Sequence, residues 1–371
     1  MFENFVEKNI RALFPYPPGK PSKELKRELN INKVIKLASN ENPLGASPKA
    51  LQAIKDGLGE VHEYPEGPCY YVRDKLFAIL SKKYGFLTPD HLTFGNGTNE
   101  LIELIVRTFT RADDHVLTSD QAFIIYKLVA EAHGCHVNLV SLKNFTFDLK
   151  AFEKNITSET KLIFIANPNN PTGTHVNTRE LLSFLQAMAT QKVLIILDEA
   201  YYEYASGMDY PDGILELKTF KNLIILRTFS KIYGLAGLRI GYAVAHPEII
   251  NYINKVKAPF NVNTLAQHAA CAALEDNDFI QESLKVNGQG KAYLCDQFKR
   301  MGLFYLPSSA NFIFIDTEKE SLLIYQRLLK KGVIIRPLTG YNLKTHFRVT
   351  VGTPPQNKFL IQALEKALCL R

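Results

Sequence analysis

A lysine follows an apolar run that has the pattern of a buried strand. The run LIIL begins at Leu223, and Arg227, Thr228, Ser230 and Lys231 come directly after it. Burying an ammonium group is costly unless it is paired or neutralised. Lys231 is therefore either a lysine that reaches solvent along its own stem, or one that acts as a nucleophile or forms a Schiff base. The rest of the chain decides between these two interpretations.

Two other apolar runs also end in polar residues. LIFIA is followed by NPNNPTG, which contains Asn170, and VLIIL is followed by Asp198 and Tyr201. In open α/β sheets, ligands lie outside the carboxyl ends of the strands. Asp198 could instead cap a helix. However, all three residues share one predicted sheet edge with Lys231, so we predict a single site and favour the Schiff-base interpretation.

A Gly-Asn-Gly turn separates a short strand from a helix that we expect to begin near Thr98. The N–H groups of Gly97, Thr98 and Asn99 would then lie at a helix N-terminus, a geometry that suits a phosphate. Glycines are also common in such turns where no ligand binds. Two further candidate phosphate ligands lie near Lys231: Ser230 directly before it and Arg239 eight residues after it.

Strands and helices alternate through the middle of the chain. Runs beginning at Leu162, Val193 and Leu223 recur about every thirty residues, the length of a βαβ unit. Near-continuous apolar strands predict a parallel sheet covered on both faces. The tail has the pattern of a smaller α+β domain, in which Arg336 and Arg348 lie within apolar strands. An unpartnered guanidinium would be costly there, so we predict that both arginines bind anions.

Composition excludes several classes of protein. The chain has 371 residues, enough for two domains, and its net charge of +7 is spread out. This favours a small anionic substrate and argues against nucleic-acid binding. Five scattered cysteines argue against both a disulfide framework and a metal site. Neither a signal peptide nor a membrane span is recognisable, so we predict a cytoplasmic protein with no membrane partner.

Together these residues are the parts that a pyridoxal 5′-phosphate site needs. Asp198 would keep the pyridine nitrogen protonated, and Lys231 would hold the cofactor and shuttle a proton. Asn170 and Tyr201 would hydrogen-bond the ring 3-oxygen. Phe123 could stack on the ring, or it could simply be a core residue.

Several motifs resemble those of a known family. SNENPLG, NPNNPTG, DEAY, and TFSK with an arginine eight residues after its lysine are similar to motifs of the aminotransferase superfamily of fold-type I pyridoxal-phosphate enzymes. PYPPGKP, APFNVN and FRVTVGT resemble those of its histidinol-phosphate aminotransferase subgroup. The resemblance extends from about residue 13 to the C-terminus.

The resemblance implies an architecture. It implies an α/β fold of type I, with a large domain built on a mainly parallel sheet flanked by helices and a smaller α+β C-terminal domain. We expect an N-terminal arm over 1–30 that contacts a partner subunit, a large cofactor-binding domain over 31–257 and a small domain over 258–371. Part of the N-terminal segment could join the small domain.

The resemblance also implies a reaction and a partner. The implied reaction converts L-histidinol phosphate and 2-oxoglutarate to imidazole-acetol phosphate and L-glutamate, a step of histidine biosynthesis. A homodimer would share its active sites, with Tyr64 reaching the neighbouring cofactor phosphate. Tyr16, Asn42 and Arg336 would bind substrate, Arg336 through its phosphate, and Arg348 would take the α-carboxylate.

One departure from the family pattern and several alternatives accompany this interpretation. Ser119-Asp120-Gln121-Ala122 replaces the usual proline-led turn before Phe123. An aminotransferase for phenylalanine and tyrosine shares the mechanism and is the nearest alternative. A decarboxylase of a phosphorylated amino acid and a non-enzymatic pyridoxal-phosphate-binding regulator are others. A plain nucleotide-binding module would leave Asp198 and Lys231 unexplained.

Overall fold

The chain forms two compact units. The computed structural model describes residues 2–15, 19–31, 33–205, 207 and 209–369. The first unit comprises residues 1–15, 46–170 and 175–277, and the second comprises 16–45, 171–174 and 278–371.

Fifteen α-helices form within the described residues. They are α1 Lys8–Arg11, α2 Ser22–Leu29, α3 Pro48–Asp56, α4 Tyr70–Lys83, α5 Thr98–Phe109, α6 Ile125–Ala132, α7 Leu149–Lys154, α8 Thr178–Met188, α9 Tyr202–Ala205, α10 Gly213–Glu216, α11 Pro247–Val256, α12 Thr264–Ala273, α13 Asn277–Arg300, α14 Ser321–Leu329 and α15 Pro354–Ala367.

Thirteen strands form in the same described ranges. They are β1 Ile35–Lys36, β2 Leu92–Gly95, β3 His115–Ser119, β4 His136–Val140, β5 Thr160–Ala166, β6 Leu194–Asp198, β7 Leu223–Thr228, β8 Gly241–Ala245, β9 Phe304–Tyr305, β10 Phe312–Asp316, β11 Val333–Ile334, β12 Arg336–Pro337 and β13 His346–Thr350.

A seven-stranded sheet forms the centre of the first unit. Its order is β2-β8-β7-β6-β5-β3-β4, and every neighbouring pair is parallel except the two that include β8. The four residues of the LIIL run in β7 are fully buried, as expected for a parallel strand covered on both faces. The mainly parallel sheet predicted from the sequence is confirmed.

Helix boundaries follow local capping signals. Ser47 precedes Pro48 and accepts a hydrogen bond from the N–H of Ala50 through Oγ, at 3.3 Å. Serine at the N-cap followed by proline in the first turn is a favoured start of a helix. Helix α5 begins at Thr98, and α4 spans Tyr70–Lys83. The start of α5 agrees with the helix predicted to begin near Thr98.

The second unit contains two small sheets. The antiparallel sheet has the order β12-β13-β10-β9, and β1 pairs in parallel with β11. The core of the second unit is a separate apolar cluster that includes Phe298, Ile313, Phe347 and Leu360. This unit has the α+β character expected of the smaller domain.

The two units are not divided where the sequence places the domain borders. Residues 31–45 group with the second unit and residues 258–277 with the first. Helix α12 lies in the latter stretch and packs against α3 and α4 of the first unit. No helix within the described residues is long and apolar enough to cross a membrane.

Candidate active site

Asp198 ends strand β6 in the middle of the seven-stranded sheet. Its carboxylate is 5% exposed and accepts hydrogen bonds from the Tyr126 hydroxyl at 2.7 Å and from the Ala200 N–H at 3.1 Å. Burial raises the pKa of Asp198, while these two donors and the charge of Lys231 act in the opposite direction. The site thus contains a buried acid whose two hydrogen-bond donors are neutral.

Lys231 and Tyr201 lie at the same sheet edge. Tyr201 follows β6 and Lys231 follows β7, and these strands are parallel neighbours, with Asp198 in register with Leu226. The Lys231 Nζ lies 5.7 Å from the centroid of the Tyr201 ring. The structure therefore brings Asp198, Tyr201 and Lys231 together, because the carboxyl ends of adjacent parallel strands meet at one edge.

The loop after β5 is joined to the same edge. The N–H of Asn167 donates to the Asp198 carbonyl oxygen at 2.9 Å. The Asn167 Oδ1 accepts a hydrogen bond from the Val176 N–H, also at 2.9 Å. Asn170 follows three residues later and is half-buried. The backbone of Asp198 thereby fixes the start of the loop that carries Asn170.

Gly97, Ser230 and Arg239 form a cradle at the start of α5. Gly97 has a φ of +77°, and a Cβ added there would overlap the Arg239 guanidinium. Arg239 Nη1 donates to Ser230 Oγ at 3.4 Å and to the Ala236 carbonyl at 3.1 Å. Only a glycine leaves room for this close approach.

The backbone N–H groups of Thr98 and Asn99 open helix α5 beside this cradle. The N-cap residue of this helix is Gly97, which makes no side-chain capping hydrogen bond. Two sides of the cradle are thus the arginine and the helix N-terminus, and both favour an anion. Thr228 shapes the adjoining turn, since its Oγ1 accepts from the Ser230 N–H at 3.1 Å.

The turn that departs from the family pattern has its own internal support. Ser119 Oγ accepts from the Gln121 N–H at 3.3 Å, and the Gln121 carbonyl accepts from Asn169 at 2.9 Å. Phe123, at the end of this turn, is half-buried and meets Tyr126 edge-on at 5.6 Å between ring centroids. Side-chain hydrogen bonds thus shape this turn where the family uses a proline.

A second buried charge cluster lies next to Asp198 in sequence. Arg227 donates to Glu199 Oε2 at 2.9 Å through Nε and to Asp212 Oδ1 at 3.1 Å through Nη2. The ring of Tyr202 lies 3.4 Å from the guanidinium carbon. Sequence reasoning missed this cluster, and it also missed Tyr126 as a partner of Asp198. The one available signal was the pair of adjacent acids, Asp198 and Glu199, after an apolar strand.

The substrate residues predicted from the resemblance belong mostly to the second unit. Arg336 and Arg348 occupy directly opposite positions of β12 and β13. Arg348 Nη2 also donates to the Ala38 carbonyl at 2.6 Å. Asn42 is buried, and its Nδ2 donates to Ser283 Oγ at 2.9 Å. Tyr16 lies outside the described residues.

Tyr64 belongs to the first unit and is placed on its surface. Its side chain is 83% exposed and stacks on Phe260 at 4.9 Å between ring centroids.

The described residues contain no group of three or more histidines, cysteines or acids that could hold a metal ion.

Comparison with known proteins gives consistent matches. Residues 32–364 match the model of the family "Aminotransferase class I and II". The chain is 45% identical to histidinol-phosphate aminotransferase 2 of Pseudomonas fluorescens strain Pf-5, over 99% of this chain and 98% of that protein. It is 46% identical to histidinol-phosphate aminotransferase of Moorella thermoacetica, over 97% and 92% of the two chains.

A solved structure is similar over nearly the whole chain. Histidinol-phosphate aminotransferase from Sinorhizobium meliloti, in complex with pyridoxal-5′-phosphate, superposes with a TM-score of 0.89 at 27% identity. The match covers 98% of each chain.

Proposed function

Because this chain belongs to the histidinol-phosphate aminotransferases of the aminotransferase class I and II family, we propose that it transfers the amino group of L-histidinol phosphate to 2-oxoglutarate. The products are imidazole-acetol phosphate and L-glutamate, and the step belongs to histidine biosynthesis. The observation that carries this proposal is the placement of Asp198 and Lys231 together at the carboxyl ends of adjacent strands, with the charge of the lysine acting on the acid.

The residues present fit pyridoxal 5′-phosphate, the cofactor of this family. The cradle of Gly97, Ser230 and Arg239 offers a cation and a helix N-terminus to a phosphate. Asp198 is a buried carboxylate that receives hydrogen bonds from Tyr126 and Ala200. Because both donors are neutral, a protonated ring nitrogen is the partner that such an acid would favour.

Each residue of the proposed site has a separate role in the reaction. When bound, the cofactor supplies an electron-accepting ring that stabilises negative charge at the substrate Cα. Asp198 holds a proton on the ring nitrogen. Lys231 Nζ would hold the cofactor through its aldehyde and would carry a proton to and from the substrate Cα. Asn170 and Tyr201 orient the ring through its 3-oxygen.

The phosphate and the ring faces have their own ligands. Ser230, Arg239 and the N–H groups of Gly97, Thr98 and Asn99 bind the phosphate, and Thr228 holds Ser230 in place. We assign Phe123 to one face of the ring. Its position next to Tyr126, which binds Asp198, supports this assignment.

Two arginines are proposed to bind the anionic groups of the substrates. Arg336 and Arg348 face each other across an antiparallel strand pair, where like charges destabilise the sheet. An anion bound near them would be attracted by both side chains. We assign Arg336 to the phosphate of histidinol phosphate and Arg348 to the α-carboxylate of glutamate. Asn42 and Tyr16 complete the proposed substrate ligands.

We also propose a homodimer in which each chain completes the site of its partner. Tyr64, Tyr71 and Ile79 line one concave surface of the first unit, and all three side chains are exposed. Leu58 and Val61, which precede Tyr64 in the chain, are also exposed. Exposed apolar surface of this kind is typical of protein interfaces. Tyr64 is then the residue that reaches the cofactor phosphate of the partner.

The cofactor assignment is tested by Lys231→Ala. The purified wild type should show the near-visible absorption band of bound pyridoxal phosphate, and the variant should lose both the band and transamination. Lys192→Ala, at an exposed position, is the matched control and should keep both. An unchanged spectrum in Lys231→Ala would refute the role of this lysine.

The substrate assignment is tested by comparing kcat/KM for histidinol phosphate and for phenylalanine, each with 2-oxoglutarate. We expect histidinol phosphate to be preferred, because Arg336 would bind a phosphate that phenylalanine lacks. A preference for phenylalanine of about tenfold, equivalent to roughly 1.4 kcal/mol in transition-state binding, would instead identify an aromatic aminotransferase.

A further inference from the structure

Phe260 has a backbone conformation that bulky residues rarely adopt. Its φ is +58°, in the left-handed region, and it lies in the turn between α11 and α12. A positive φ is a genuine outlier for a large side chain. Strain of this kind persists only where the surrounding structure enforces it, and it is common at functional sites.

Core packing does not explain this strain. The side chain of Phe260 is 45% exposed and its ring stacks on Tyr64, with 23° between the ring planes. Tyr64 is itself 83% exposed, so most of its surface faces solvent in the single chain. A stacked pair in which both rings are exposed buries little apolar area. Its main consequence is to fix the orientation of the two rings.

The turn that carries Phe260 is held firmly at its base. Asn261 Nδ2 donates to Glu100 Oε2 at 2.6 Å and to the Phe94 carbonyl at 3.2 Å. The same carboxylate oxygen of Glu100 accepts from the Asn96 N–H at 2.6 Å. Asn96 directly precedes Gly97, so the turn is joined to the phosphate cradle of its own chain.

The segment that carries Tyr64 is joined to the same turn. Gln267 Nε2 donates to the Glu66 carbonyl at 3.0 Å and to the Val262 carbonyl at 2.9 Å. The backbones on either side of the stacked rings are therefore linked through one buried glutamine. Hydrogen bonds from Asn261 thus hold the base of Phe260, whereas the Tyr64 side chain is 83% exposed.

We propose that Phe260 is a positioning residue for Tyr64: its left-handed backbone presents the ring that holds the Tyr64 side chain in the orientation needed to reach the partner's cofactor phosphate. This inference rests on the dimer under the proposed function. A tyrosine already held in its bound orientation loses less conformational freedom on binding, so the phosphate is bound more tightly.

The test measures the dissociation constant of pyridoxal phosphate for the dimeric protein after cofactor removal. Tyr64→Phe removes the hydroxyl and keeps the stack, and it should weaken binding about tenfold, as expected for a lost charge-assisted hydrogen bond. Phe260→Asn removes the ring but tolerates the left-handed backbone, and it should weaken binding about two- to tenfold. Phe260→Tyr keeps a ring and should restore wild-type affinity.

Two further measurements separate positioning from a general structural role. The thermal midpoint of Phe260→Asn should not fall, because asparagine adopts a positive φ more readily than phenylalanine. In the double variant Tyr64→Phe/Phe260→Asn, the losses in affinity should not multiply, because Phe260 acts through the tyrosine hydroxyl. A loss of both stability and affinity in Phe260→Asn, or multiplicative losses in the double variant, would overturn the inference.

The results also distinguish a failure of the role of Phe260 from a failure of the proposed dimer. If Tyr64→Phe weakens binding and Phe260→Asn does not, the inference fails and the dimer proposal stands. If Tyr64→Phe binds the cofactor like the wild type, both fail. If Phe260→Asn raises KM for histidinol phosphate and leaves cofactor affinity unchanged, Phe260 contacts substrate directly and the inference also fails.

Discussion

Asp198 and Glu199 are adjacent buried acids with opposite surroundings. The side chain of Asp198 receives hydrogen bonds from Tyr126 and Ala200, whereas Glu199 contacts the guanidinium of Arg227. Burial raises the pKa of both carboxyl groups. For Glu199 the guanidinium of Arg227 in direct contact opposes this effect, whereas for Asp198 two neutral donors and the charge of Lys231 oppose it.

Asp198 is the last residue of β6 and Glu199 follows the strand, so the two side chains enter different surroundings. On the Glu199 side, Arg227 also binds Asp212, whose Oδ2 accepts from Lys83 at 2.7 Å and from Tyr84 at 2.5 Å. This cluster satisfies its charges within the first unit. On the Asp198 side, the carboxylate accepts hydrogen bonds from two neutral donors, and the charge of Lys231 also acts on it. We therefore propose that the Glu199 cluster stabilises the fold, whereas Asp198 serves the cofactor.

The largest expected effect is on the Asp198 side. Asp198→Asn should lower kcat/KM for transamination by about 100- to 1,000-fold, as when one preorganised electrostatic contact is lost. The free energy of unfolding of the cofactor-free protein should change little, because the cost of burying a charge is removed together with its interactions with Tyr126, Ala200 and Lys231. Steady-state kinetics and urea unfolding check the two parts. Activity within tenfold of the wild type would show that the ring nitrogen does not need this charge.

A substitution at Glu199 should reduce stability more than it reduces activity. Glu199→Gln leaves the buried Arg227 with Asp212 as its remaining carboxylate, and it should lower the free energy of unfolding by roughly 3 kcal/mol, the low end of the usual range. The kcat/KM of the folded variant should change less than that of Asp198→Asn. Urea unfolding and kinetics at low temperature test this. Wild-type stability would mean that Asp212 alone satisfies the arginine.

A third acid gives this side a pH dependence. Burial raises the pKa of Glu203 to about 7 from the ordinary value of 4.5. Between these values the folded state holds the proton more strongly than the unfolded state, so stability falls as pH rises through this window. Relative to Glu203→Gln, the cofactor-free wild type should lose roughly 2 kcal/mol between pH 4.5 and pH 7, a figure reduced because Glu203 is half-buried. Parallel urea curves at each pH measure it, and equal pH slopes would contradict the assignment.

The smallest effect is expected at Tyr126. Tyr126→Phe removes a hydrogen bond that lowers the pKa of Asp198, and it should reduce kcat/KM by about tenfold, roughly 1.4 kcal/mol. The acid limb of the pH–rate profile should also move to higher pH, because Asp198 would then hold a proton more strongly.

Tyr84→Phe is the matched control for this prediction. It removes a hydroxyl from Asp212 on the Glu199 side, so it should lower stability and leave the pH–rate profile unchanged. If both variants shift the profile alike, the two sides are not separate.

Local signals in the sequence were sufficient for most of the fold. Apolar runs predicted strands β5, β6 and β7, and the Gly-Asn-Gly turn predicted the start of α5, because strand burial and turns depend on neighbouring residues. The domain boundaries were harder to predict from the sequence, because α12 groups with the first unit through its packing on α3 and α4.

The sequence by itself determined which residues stand at the ends of strands: Asn170 after β5, Asp198 at the end of β6, and Lys231 after β7. It also determined the glycine turn before α5, since those features are local in the chain.

Only the tertiary structure decided which side chains meet. It brought Tyr126 to Asp198, placed Arg239 against Gly97, and put Phe260 in the conformation that stacks on Tyr64. Each of these contacts joins residues more than fifty positions apart. Strand register and helix packing fix such distances, and a slip of one residue in register would move Asp198 away from Leu226, its partner in β7.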